Sequence, residues 1–127
     1  MSVYIENDRD IELTRGDMLP LTVTADNLIG NDYEFKAGDI LEFKVYEKGN
    51  PANVVLEKQF TVDKTCTEFY MEIPSEDTRI GELISKPVEY NYELTLNPNT
   101  SRTMTIIAHT KKDGAPKFIL GVEAGGN

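Results

Sequence analysis

From Val88 to Leu96 the chain reads VEYNYELTL. Val88, Tyr90, Tyr92, Leu94 and Leu96 share one parity, and Glu89, Asn91, Glu93 and Thr95 share the other. A period of two is the mark of a strand with one buried face, and it excludes a helix over this stretch. The same period recurs along the chain. Leu19, Leu21, Val23 and Ala25 alternate with Met18, Pro20, Thr22 and Thr24, and Leu41, Phe43 and Val45 with Glu42 and Lys44. Val54-Leu56 and Phe60-Val62 bracket Glu57 and Gln59, and Phe69, Met71 and Ile73 alternate with Glu68, Tyr70 and Glu72. Met104, Ile106 and Ala108 form one side of a further run, and Phe118, Leu120 and Val122 close the series.

Turn residues separate these runs: Asn27 to Asp32, Lys48-Gly49-Asn50-Pro51, Asn97-Pro98-Asn99 and Lys112 to Pro116, where Asp113-Gly114 is the strongest hairpin signal. Many short strands with regular turns predict an all-β fold, an antiparallel immunoglobulin-like β-sandwich. Clean alternation favours antiparallel pairing over a parallel sheet buried on both faces. One segment breaks the rule. Pro74-Ser75-Glu76-Asp77-Thr78 offers an N-cap at Ser75 and acids in a first turn, and Ile80, Leu83 and Ile84 follow at helical spacing. It predicts one short helical element. With 127 residues the chain is expected to form a single domain over 1–127, with 123–127 frayed.

"LTRGDMLPLTVTA", Leu13 to Ala25, contains Arg15-Gly16-Asp17 just before a strand. Alone it spells an integrin-adhesion motif. A second Gly-Asp, Gly38-Asp39, again precedes a strand in "AGDILEFKV". A corner explains both copies: glycine admits the backbone angles of a turn, and aspartate can accept hydrogen bonds from nearby N–H groups. Gly16, Asp17, Gly38, Asp39, Ser75 and Asp77 are therefore expected to be structural turn residues.

Charge bounds the partners. The 22 acidic residues outnumber 13 basic ones, a formal net charge of −9. That disfavours nucleic acid and anionic lipid. One cysteine, Cys66, permits no internal disulfide. The first residues lack a basic start and an apolar run, so no secretory signal peptide is expected.

Catalytic chemistry finds little to work with. The single histidine, His109, has no nucleophile elbow to serve. Asp26, Asn27, Asn31, Asp32 and Glu34 group oxygen ligands around a turn, without EF-hand spacing, and read as turn chemistry rather than a calcium site. Tyr90 and Tyr92 share a face with Val88, Leu94 and Leu96, which makes them core rather than a sugar-stacking platform. No enzyme activity, metal, cofactor or small-molecule substrate is expected.

The order of these segments resembles a family of small β-sandwich proteins encoded by phages and prophages of Gram-positive bacteria. Among them are the N-terminal domains of siphophage upper baseplate proteins. The shared features are Arg15-Gly16-Asp17 before a strand, Gly38-Asp39 before "ILEFKV", the "IPSEDT" step, the Tyr90-x-Tyr92-x-Leu94-x-Leu96 strand and the closing strand. The resemblance implies a virion structural protein of the tail tip or baseplate, made in the bacterial cytoplasm. Its partners would be other tail proteins, with self-association as a further option. Upper baseplate proteins continue past this domain with helical or fibre-forming sequence that these 127 residues do not include, so receptor binding is not carried over. The alternative reading is a carbohydrate-binding or adhesive β-sandwich at a cell surface.

Overall fold

A computed structural model of the chain describes residues 3–5, 10–24, 34–81, 86–107 and 116–122. Among them are nine strands: β1 (Val3–Ile5), β2 (Ile11–Thr14), β3 (Leu19–Thr24), β4 (Ile40–Glu47), β5 (Asn50–Thr61), β6 (Glu68–Ile73), β7 (Val88–Leu96), β8 (Met104–Ile107) and β9 (Lys117–Gly121). The only helical element among the described residues is a 3-10 turn over Ser75–Thr78. The all-β expectation holds.

The strands form two sheets. One has three strands in the order β1-β3-β6. The other has six, in the order β2-β9-β7-β4-β5, with β8 also paired to β7. β8 lies opposite Leu94–Leu96 and β9 opposite Val88–Asn91, so the two occupy successive stretches alongside β7. One buried cluster draws from both sheets. Leu19, Leu21, Val23, Met71 and Ile73 come from the first, and Leu41, Phe43, Val45, Tyr92, Leu94, Leu96, Phe118 and Leu120 from the second. At its centre the Phe43 ring lies 5.4 Å from Tyr92 and 6.1 Å from Phe118, centroid to centroid, both tilted.

The sheets are not purely antiparallel, as the alternation had suggested. β1 runs parallel to β3, and β2 runs parallel to β9. Neither pair is joined by a hairpin, and Ile11 finds Phe118 from the other end of the chain. Alternation reports which face is buried; it carries no information on the direction of a partner so distant in sequence.

Three local expectations also change. Pro20 and Thr22 on β3 are buried along with Leu19, Leu21 and Val23, because β3 is the central strand of its sheet. A register shift between Leu94 and Thr95 sets Ile107, not Ile106, opposite Leu94, and Met104 is left exposed at the strand end. The 3-10 turn is capped by Pro74, not Ser75, and has no side-chain cap; the Ser75 hydroxyl lies instead 3.5 Å from the Glu76 carboxylate, to which it donates. Pro74 takes the cap because its extended backbone (φ −60°, ψ 152°) is already the half-in conformation that position needs. Leu83 and Ile84, Asp113-Gly114, Ala25, Ala108 and the tail 123–127 lie outside the described residues.

Phe43 is fully buried and packs against two other aromatic rings. Phe43→Ala is expected to cost about 3–5 kcal/mol of folding stability. Urea denaturation of the two proteins measures it, and a midpoint equal to the parent's would contradict this core.

Candidate functional site

The two Gly-Asp copies share one backbone geometry. The Asp17 N–H donates to the Thr14 carbonyl at 3.0 Å, and the Asp39 N–H donates to the Lys36 carbonyl at 3.0 Å. Glycine is the third residue of each turn, with φ of 88° at Gly16 and 94° at Gly38. Arg15 and Ala37 do not have positive φ. A positive φ at the third position alone defines a type II turn, where glycine is the residue that fits without strain.

The aspartates then part company. Asp39 is 2% exposed, and its carboxylate is the centre of a polar network. It accepts from the Lys36 N–H at 2.8 Å and from the Asn97 side-chain amide at 3.2 Å, and Arg102 lies 3.5 Å away. Asn97, in the left-handed region with φ of 50°, also accepts from the Ile40 N–H through its side chain at 2.9 Å. Its backbone carbonyl takes the hydroxyls of Thr100 and Thr103, at 2.8 and 2.6 Å. The network ties the start of β4 to the end of β7.

Asp17 is exposed, and among the described residues its carboxylate makes no hydrogen bond. The expectation that it caps backbone N–H groups is therefore corrected. The reason is geometric: this corner is fastened from the other side, by Arg15. Arg15 is only 7% exposed. Its guanidinium donates to the carbonyls of Ile80 at 3.2 Å, Gly81 at 2.8 Å and Arg79 at 3.4 Å. The Gly16 N–H donates to the buried Thr78 hydroxyl at 3.1 Å, and that hydroxyl lies 2.7 Å from the Asp17 carbonyl and 3.0 Å from the Ser75 carbonyl. The Arg15 N–H reaches the Gly121 carbonyl at 3.1 Å, extending the β2–β9 ladder to the corner. Arg15-Gly16-Asp17 is thus where the chain leaves the six-stranded sheet for the three-stranded one, latched onto the 3-10 turn. An adhesive motif needs its arginine in solvent, and here the arginine is committed to the fold.

Asp77 pairs with Lys58 of β5 at 2.8 Å, both about one-third exposed. Asn91, expected on the polar face, is buried: it accepts from the Gly49 N–H at 3.0 Å and donates to the Pro116 carbonyl at 3.2 Å. Sequence reasoning missed Arg15, Thr78, Asn91 and Asn97 as joints. Only Asn97 carried a local signal, its place in an Asn-Pro-Asn turn.

The outer face of the six-stranded sheet holds a polar cleft of about 380 Å³, lined in part by Glu42, Lys44, Glu57, Gln59, Thr95 and Thr103. Glu42 is 7% exposed, and its carboxylate accepts from the Gln59 amide at 2.9 Å and lies 3.5 Å from Lys44. A second cleft, of about 420 Å³, runs past Thr61, Asp63, Lys64, Cys66, Phe69 and Tyr70. Burial, and then the Asp63 carboxylate, push the Cys66 thiol above its ordinary pKa. Tyr92 is fully buried and Tyr90 packs against the core, as their parity indicated.

Among the described residues no group of three or more His, Cys, Asp or Glu is placed to hold a metal ion. His109 and the cluster Asp26, Asn27, Asn31 and Asp32 lie outside the described residues, and Glu34 pairs with Lys36 at 3.7 Å. Compared with known protein families, curated proteins and solved structures, the chain matches none.

Two measurements test the site. Gly16→Val forces a β-branched residue to positive φ and should cost about 1–3 kcal/mol. Asp39→Ala strands buried donors and should cost about 1–3 kcal/mol, whereas Asp17→Ala should stay within about 0.5 kcal/mol. Equal losses for the two aspartates in urea denaturation would contradict the division of labour. Separately, the raised thiol pKa leaves less thiolate at neutral pH, so Cys66 should react with a disulfide reagent more slowly than free cysteine at pH 7. The native and urea-unfolded rates check this, and equal rates would contradict it.

Proposed function

We propose that this chain is an immunoglobulin-like β-sandwich that serves as a non-enzymatic structural protein of a phage or prophage tail tip or baseplate. It acts by protein–protein contact, in the virion. The observation that carries the reading is the ordered set of joints. The segments that make the chain resemble upper baseplate N-terminal domains are the segments that do structural work: the two type II corners, the "IPSEDT" turn whose Thr78 takes the Gly16 N–H, and β7 at the middle of the larger sheet.

Strand order supports the sandwich type. The first sheet, β1-β3-β6, has the order of an A-B-E set, from which it departs in that β1 runs parallel to β3. The second, β2-β9-β7-β4-β5, corresponds to a G-F-C set extended at one side by a C′ strand and at the other by a short parallel strand. The interrupted pair β8 and β9 together take the place of the last strand. The net charge of −9 suits docking onto basic protein neighbours. The sugar-platform alternative drew on Tyr90 and Tyr92, whose rings belong to the core.

Prophage induction tests this. Particles from a Gram-positive lysogen carrying the gene would be purified on a density gradient and the chain quantified against the major tail protein. Co-purification at a fixed ratio is the expected result. A chain absent from particles and recovered at the cell surface would overturn the reading.

A further inference from the structure

β5 pairs with β4 along one side, and among the described residues nothing pairs with its other side. It is by far the longest edge. At 12 residues it extends about 40 Å, against three residues for β1, four for β2 and six for β6. An unpaired edge presents alternate N–H and C=O groups to any extended chain that fits. Pro51 and the register shifts at Val45, Tyr46 and Glu47 disturb the hairpin end, which leaves Leu56 to Thr61 as the regular stretch.

The side chains beside that stretch specify what fits. Lys58 points to the core side, where Asp77 holds it at 2.8 Å. The outer face of this stretch carries Glu57, Gln59 and Thr61, so Glu57 is its one charge. Glu57 stands in a row that crosses the sheet. Glu93 on β7 is directly opposite Lys44 on β4, and Lys44 is directly opposite Glu57 on β5. The row reads negative, positive, negative, and its next position lies beyond the edge. Lys44 is drawn toward Glu42, at 3.5 Å, more than toward Glu57, at 4.0 Å. Glu57 therefore keeps a half-exposed, weakly compensated carboxylate at the free edge. Opposite charges placed directly across a sheet stabilise the pair, and like charges destabilise it.

We propose that β5 is a docking edge for an extended segment of a partner protein, paired along Leu56–Thr61, with a lysine or arginine opposite Glu57. The inference deepens the protein-contact reading above and rests on it. A second copy of this chain is disfavoured by its net charge of −9.

The test uses the full chain, isotope-labelled, with three synthetic ten-residue peptides of alternating threonine and valine. One carries a central arginine, the second a glutamate in its place, and the third the arginine with alternate backbone nitrogens methylated. The arginine peptide should shift amide resonances along β5 and at Lys44. The glutamate peptide should bind at least roughly tenfold more weakly, the methylated one should not bind, and Glu57→Lys should reverse the charge preference. Equal binding of the arginine and glutamate peptides, retained binding of the methylated one, no binding of the arginine peptide up to about 1 mM, or sedimentation showing a dimer joined at β5 would each overturn it. Particle proteomics is decided separately. A chain present in virions that ignores the arginine peptide loses only the β5 edge, and a chain that binds the peptide but is absent from virions loses only the tail assignment.

Discussion

Arg15 fastens one sheet to the connection that leaves the other. It stands at the end of β2, in the six-stranded sheet, and its guanidinium collects the carbonyls of residues 79–81, just after the turn that follows β6 of the three-stranded sheet. A charged group so deeply buried is tolerated only when its donors are met, and backbone carbonyls meet them here. The cost of breaking the latch falls on both partners, because the loop carbonyls would lose their donors as well. Gly16 makes the corner possible and Thr78 closes it, so three residues of different chemistry decide how the chain passes from sheet to sheet.

The opposite kind of joint holds β4 to β7. There an anion, Asp39, is the buried group, and Asn97 supplies both a donor and an acceptor. The two Gly-Asp corners use the same turn with different fastenings. One presents a carboxylate inward, and the other presents its neighbour's guanidinium inward and leaves the carboxylate in water. Between the joints the aromatic trio of Phe43, Tyr92 and Phe118 fills the larger sheet's share of the core.

Polar atoms at the joints are occupied with backbone, while the outer face of the larger sheet keeps a polar cleft and a charge row that ends at an edge. The conspicuous motif is spent on a corner and, among the described residues, the longest edge is unpaired, which is in keeping with the assembly role proposed above. The single thiol, half-buried and pushed toward its protonated form, agrees with a passive role for Cys66.

The sequence by itself determined the strands, their buried parity and the places where glycine had to turn the chain. A period of two and a positive-φ requirement are local properties, and Leu41-Phe43-Val45, Met71-Ile73 and Gly16 were legible for that reason. What only the tertiary structure decided was everything that joins residues far apart: the parallel partners of β1 and β2, the burial of Asn91 and Arg15, the division of roles between Asp17 and Asp39, and the row from Glu93 to Glu57. Alternation says that a face is buried but not what covers it. The fate of a charged side chain depends on which carbonyls or carboxylates the fold brings within reach, and for Arg15 those lie more than sixty residues away.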